Sequence, residues 1–148
     1  MDSNTVWKVL NQHSWHFSKR LPESGIVITG QVTPAPIQGT VNRMTWHEQG
    51  SWSDRHDKSY VCSLTHEYVL EGDRLLIYSG PETTVLLHEF CIKPFQQFPI
   101  VMQHTHYCGQ DTYACEWIFL NETSFSMQYT VLGPKKQYRI EALYTAIS

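Results

Sequence analysis

A chain of 148 residues with a net charge of −3 is long enough for one domain with its own apolar core. It has no Lys/Arg run to recruit a nucleic-acid backbone or an anionic membrane, and its apolar runs fall far short of a bilayer span. Five Trp, eight Tyr and six Phe stand beside eight His, and aromatic residues favour pleated surfaces, so the composition points to an all-β protein.

The pattern in chain order agrees. Val6-Trp7-Lys8-Val9-Leu10 has apolar residues at helical spacing, with Asn4 or Thr5 available as a cap, which predicts a short leading helix. Period-two alternation then takes over. Trp15 and Phe17 share a face, and Ile26-Val27-Ile28-Thr29 follows Gly25. Pro34-Ala35-Pro36 marks a loop or a strand edge. Met44, Trp46 and Glu48 alternate with polar neighbours, as do Tyr60, Cys62, Leu64, His66 and Tyr68. Glu71-Gly72-Asp73 is a hairpin signal before Leu75-Leu76-Ile77-Tyr78. Leu86, His88 and Phe90 share the next face; then come the His104 segment and Tyr113, Cys115, Trp117 and Phe119. Asn121-Glu122-Thr123 turns the chain into Phe125, Met127, Tyr129 and Val131, and Gly133-Pro134 precedes Tyr138, Ile140, Ala142 and Tyr144.

Eight to ten short strands joined by tight turns predict a single antiparallel up-and-down β-barrel over residues 1–148, with the helix capping one end. Met1-Asp2-Ser3-Asn4-Thr5 has neither the basic start nor the apolar stretch of a secretory signal, and the four cysteines lack C-x-x-C spacing. Both features predict a cytoplasmic protein with free thiols; if any two pair, Cys108 and Cys115 across a hairpin are the candidates.

The most informative segment is His104-Thr105-His106-Tyr107-Cys108-Gly109-Gln110-Asp111-Thr112-Tyr113. On a strand His104, His106 and Cys108 share one face, and Gly109-Gln110-Asp111 reads as a turn. Carried across the strands, the same face gathers Trp46, Glu48, His66, Tyr68, His88, Phe90, His106, Cys108, Tyr113, Trp117 and Tyr129. An inward face this rich in hydrogen-bonding groups suggests that a ligand or water satisfies some of them, because each buried group left unpaired costs about 1–3 kcal/mol.

Several blocks also carry a resemblance: Ser14-Trp15 with Arg20 beyond, Met44-Thr45-Trp46-His47-Glu48-Gln49-Gly50, Leu87-His88, His106 to Tyr113, and Val131 to Tyr138. Together they resemble a family of small bacterial and lower-eukaryotic proteins known only as a domain of unknown function. The resemblance implies a lipocalin-like (calycin-type) barrel and carries no activity with it. Its most specific blocks are H-x-C-x-x-D-x-Y and V-x-G-P-x-K-x-Y. This chain departs from the family pattern at Tyr129, where Trp is usual, and at His66-Glu67-Tyr68, where Arg-x-Tyr is usual. Trp15 resembles the first-strand tryptophan that closes the floor of lipocalins.

Two functional classes follow. The first is a barrel that binds an amphipathic or aromatic small molecule through Trp46, His66, Tyr68, His88, Phe90, His104, Cys108, Tyr113, Trp117 and Tyr129, with Lys135 and Tyr138 at the mouth. The second is a metal-independent isomerase, cyclase or hydrolase in the same cavity. In it His106 and Asp111 form a base dyad and Glu48, its acidity weakened by burial, serves as the acid. His106 and Asp111 could equally tie a hairpin together. Zinc on His104, His106, Cys108 and Asp111 is chemically possible, but H-x-H-x-C is no recurring zinc spacing, so neither metal nor cofactor is expected. The absence of G-x-S-x-G, a phosphate loop and H-E-x-x-H favours binding. The expected partner is a small molecule, with no nucleic acid and no membrane; a homodimer stays open.

Overall fold

The computed structural model describes residues 4–80, 85–92 and 96–147. Helix α1 (Thr5–Gln12) leads into strands β1 (Ser14–Leu21), β2 (Ile26–Pro36), β3 (Arg43–Ser53), β4 (Ser59–Glu71) and β5 (Arg74–Ser79). Strands β6 (Leu86–Cys91), β7 (Ile100–Cys108), β8 (Asp111–Asn121), β9 (Ser124–Leu132) and β10 (Gln137–Ile147) follow. All neighbours pair antiparallel in the order β6-β5-β4-β3-β2-β1-β10-β9-β8-β7. The chain therefore runs up and down in sequence, and β1 meets β10 to roll the sheet into a nearly closed barrel. The ends of the ladder, β6 and β7, lie against each other without joining it. Among the described residues no helix is long and apolar enough to cross a membrane.

Period-two alternation sorts the side chains. On the outside, the cross-strand pair Arg74–Glu89 and the pair of Arg139 with Glu23 in the β1–β2 turn offer charge to water. On the inside, the helix end of the barrel is packed with aromatic rings. Trp15, Trp46, Trp117, Phe119, Phe125 and Tyr144 are fully buried, with Phe125 stacked on Tyr144 at 4.5 Å and Trp46 on Tyr68 at 5.1 Å between ring centres.

Helix α1 closes this end. Asn4 caps it by accepting from the Trp7 N–H, and Val6, Trp7, Val9 and Leu10 face the core. The Trp15 indole donates to the Leu10 carbonyl at 3.3 Å, tying the helix to the barrel floor.

Alternation fails at one informative place. Leu86 is expected inward with His88 and Phe90, yet it is exposed, and Leu87 lines the interior instead. The register with β5 shifts between Ile77 and Tyr78, where Ile77 pairs with His88 but Tyr78 pairs with Leu86. The extra residue is a β-bulge, which inverts the facing of everything on its far side.

Two glycines allow the wall to bend. Gly30 and Gly50 pair across β2 and β3, and a Cβ on Gly30 would stand 2.0 Å from the Gln49 carbonyl oxygen. The Phe17 ring packs over the missing side chain of Gly50, 3.0 Å from where its Cβ would be. A side chain at Gly30 must therefore push backbone apart. We expect Gly30→Ala to lower unfolding free energy by about 3 kcal/mol, the upper part of the range for overpacking, measured by urea denaturation. A change below about 1 kcal/mol would show that the bend does not need glycine.

Candidate functional site

The barrel is solid at the helix end and hollow at the other. A cavity of about 460 Å³ opens toward the turns at 22–25, 54–58, 109–110 and 133–136. Its apolar wall includes Ile77, Leu87, Met127, Val131, Ile140 and Ala142. Its polar wall brings together Lys19, Glu48, His66, Tyr68, His88, His106, Tyr113, Tyr129, Tyr138 and Tyr144.

Where the hollow meets the packed half, Glu48 sits buried at 3% exposure. Its Oε1 is bonded by the Lys19 ammonium, and its Oε2 accepts from the Trp46 indole at 3.0 Å and from the Tyr144 hydroxyl. Three strands, β1, β3 and β10, are thereby joined through one carboxylate. Every partner brings its own hydrogen, so Glu48 is used here as an acceptor, not as the proton donor that sequence reasoning assigned to it. Burial and the nearby Glu48 charge hold the Tyr68 and Tyr144 phenols well above the usual tyrosine range, so both remain protonated donors.

Histidines line the other wall. His66 lies opposite Trp46 on β4, and burial lowers its basicity despite the opposing pull of Glu48. Burial pushes His88 down to about 3, with His104, His106 and His66 adding to the effect. The His88 Nδ1 meets the His104 Nδ1 at 3.0 Å, a side-chain bond across the β6–β7 seam. One ring must donate and the other accept, so the bond requires at least one neutral imidazole. His106 stands beside this pair, 6.2 Å from His88 and 6.0 Å from Tyr113 between ring centres.

The two most specific sequence blocks meet at the mouth. Lys136 donates to the Tyr113 hydroxyl at 2.9 Å and lies 3.5 Å from the Asp111 carboxylate. The Asp111 Oδ1 occupies the space that a Cβ on residue 133 would fill, which is why the turn carries Gly133 there.

This arrangement alters several expectations. Among the described residues no hydrogen bond joins His106 to Asp111; the carboxylate is turned to Lys136. His104 serves the seam and does not line the cavity, although it shares a strand face with His106. Trp46, Phe90 and Trp117 belong to the packed half, at 0%, 1% and 1% exposure, and support the cavity wall from behind. Lys135 is exposed, and its neighbour Lys136 is the lysine engaged at the mouth, because parity cannot be carried through the Gly133-Pro134 turn.

Cys108 and Cys115 are not opposite one another. Cys108 pairs with Asp111 at the hairpin tip while Cys115 pairs with His104, and all four cysteines are free thiols. Burial pushes the Cys115 thiol up to about 12, so it is unreactive. His66, Tyr68, His88, His106, Cys108, Tyr113, Tyr129 and Tyr138 all line the cavity. Sequence reasoning missed Lys19 and Tyr144. Continuing the Trp15-Phe17 alternation by one step would have turned Lys19 inward, and Tyr144 lay in an alternating run not extended into the site.

The fold and site define an up-and-down antiparallel β-barrel with a partly hollow, aromatic interior. The chain belongs to the family of unknown function DUF6314, whose model matches residues 12–146. No curated protein matches it. Among solved structures it is similar to a redesigned β-barrel at 13% identity, covering 100% of this chain and 98% of that one with a TM-score of 0.51; this likeness concerns the fold alone. A de novo designed fluorescence-activating β-barrel is 10% identical over 91% of this chain and 92% of its own, with a TM-score of 0.49.

The seam histidines set a pH dependence. His88 has a folded-state value near 3 against an ordinary value of 6.5, so its contribution is fully present above about 6.5 and is lost as pH falls toward 3. His66 and His104 are lowered in the same direction. We expect unfolding free energy to fall from pH 7 to pH 4, by up to about 1.4 kcal/mol per pH unit for the His88 proton. The His88→Gln variant should show a shallower slope in denaturant titrations at several pH values. A wild-type slope that His88→Gln leaves unchanged would remove the histidine from this role.

Proposed function

We propose that the protein binds an amphipathic or aromatic small molecule in the open half of the barrel, a lipocalin-like use of the fold. The observation that carries this reading is the cavity of about 460 Å³, whose size and mixed wall match those of small-molecule sites. The polar groups that face it have unmet hydrogen-bonding capacity. Among the described residues, His66, His106 and the Tyr68 hydroxyl have no hydrogen-bond partner, while a core built for stability alone would use apolar side chains there. The four free thiols support placing the protein in the cytoplasm.

The enzyme alternative is less well supported. Its base dyad would need His106 to contact Asp111, whose carboxylate lies beside Lys136, and its acid would be Glu48, already an acceptor for three donors.

Trp46 stacks on Tyr68, which lines the cavity, so intrinsic fluorescence should report occupancy. A screen of uncharged aromatic and amphipathic compounds should give saturable changes. Ile140→Trp, which fills the hollow from β10, should weaken such binding at least tenfold while the far-UV circular dichroism is retained. Equal binding by wild type and Ile140→Trp would place the ligand elsewhere.

A further inference from the structure

We infer that the cavity is selective for an electrically neutral ligand: a lipophilic molecule with a hydrogen-bonding pole, as in a carbonyl, hydroxyl or aza-aromatic group, and not a carboxylate, sulfonate or amine. This rests on the binding reading above and adds the charge class of its ligand.

Charge balance carries the inference. Among the described lining residues, Lys19 is the one cation of fixed charge and Glu48 the one carboxylate, and they are bonded to each other. The second oxygen of Glu48 is already occupied by the Trp46 indole and the Tyr144 hydroxyl. The Lys19 side chain is only 19% exposed, and its ammonium lies 5.3 Å from the centre of the Phe17 ring, so it is held between its carboxylate and an aromatic face. At the mouth the Lys136 charge is matched by Asp111. Burial keeps His66 and His88 in their uncharged forms. At a pH where ordinary imidazoles are uncharged, the described wall therefore has no uncompensated charge to exchange for the hydration of an ion.

An ion entering such a space loses its water and gains no counterion, and that penalty amounts to several kcal/mol. A neutral pole loses far less. It is also well received, because a neutral imidazole offers both a donor and an acceptor, and the Tyr68 hydroxyl can do either. Among the described residues His66 on β4 and His106 on β7 have no hydrogen-bond partner, and they stand on different walls of the cavity, so a polar group can be reached from two sides. The remaining wall, from Ile77 and Leu87 across Met127 and Val131 to Ile140, suits the apolar body of the molecule.

The test compares matched fluorophores at pH 8, where ordinary imidazoles are uncharged. One probe is 6-propionyl-2-dimethylaminonaphthalene, and the second is the same naphthalene with a carboxylate in place of the propionyl group. The neutral probe should bind saturably and at least tenfold more tightly than the anion. In Glu48→Gln the Lys19 ammonium loses its counter-charge, and the ratio of the two affinities should shift at least tenfold toward the anion. Should that variant fail to fold by circular dichroism, Lys19→Met supplies the reverse test, with an amine-bearing analogue gaining at least tenfold relative to the neutral probe. Wild type binding the anion as tightly as the neutral probe would overturn the charge inference and leave the binding site standing. A ratio unmoved in a folded variant would also overturn it. If neither probe binds, the binding reading and this inference fall together.

Discussion

One buried carboxylate organises the interior. Glu48 ties an ammonium from β1, an indole from its own strand and a phenol from β10 into a single cluster at mid-height. Breaking a buried ion pair by removing one member costs about 3–5 kcal/mol, so exchanging either Lys19 or Glu48 alone weakens the fold. The cluster also divides the barrel. Below it, rings from seven strands fill the space down to the helix; above it, smaller side chains and unpartnered polar groups leave room. Rigidity at one end and vacancy at the other are thus consequences of the same arrangement.

A glycine pair lies beside the cluster. Lys19 on β1 and Glu48 on β3 are separated by the whole of β2, and an evenly pleated wall would hold them apart. Close approach at Gly30 and Gly50 lets the sheet coil sharply there, and Phe17 packs into the concavity beneath Lys19.

This explains which parts of the architecture were legible. Alternation with a period of two identified the strands and their inward faces, because each inward residue is buried by the fold itself: Trp46 and Tyr68 on neighbouring strands, Phe125 and Tyr144 on another pair. Alternation loses its parity wherever the ladder gains a residue or passes through a turn, as at Leu86 and Leu87 and again at Lys135 and Lys136. It also says nothing about depth along the barrel. Trp117 and Tyr113 share a face, yet one lies in the packed floor and the other at the mouth. Finally, it is blind to contacts created by closure. The meeting of His88 with His104 exists only because the first and last edges of the ladder come round to one another. The two specific blocks around Asp111 and Lys136 were visible as motifs, but their mutual contact depended on adjacent turns at the same rim.

The incomplete ladder has a mechanical consequence. Nine strand junctions are zipped by repeated main-chain bonds, whereas among the described residues the tenth is bridged by a hydrogen bond between two imidazoles. Stress applied to such a tube does not spread evenly around its circumference; it collects along the slit, where, among the described residues, one side-chain hydrogen bond and a few ring contacts oppose parting. The protein is therefore stiff around most of its girth and compliant along one line, and that line runs beside the hollow.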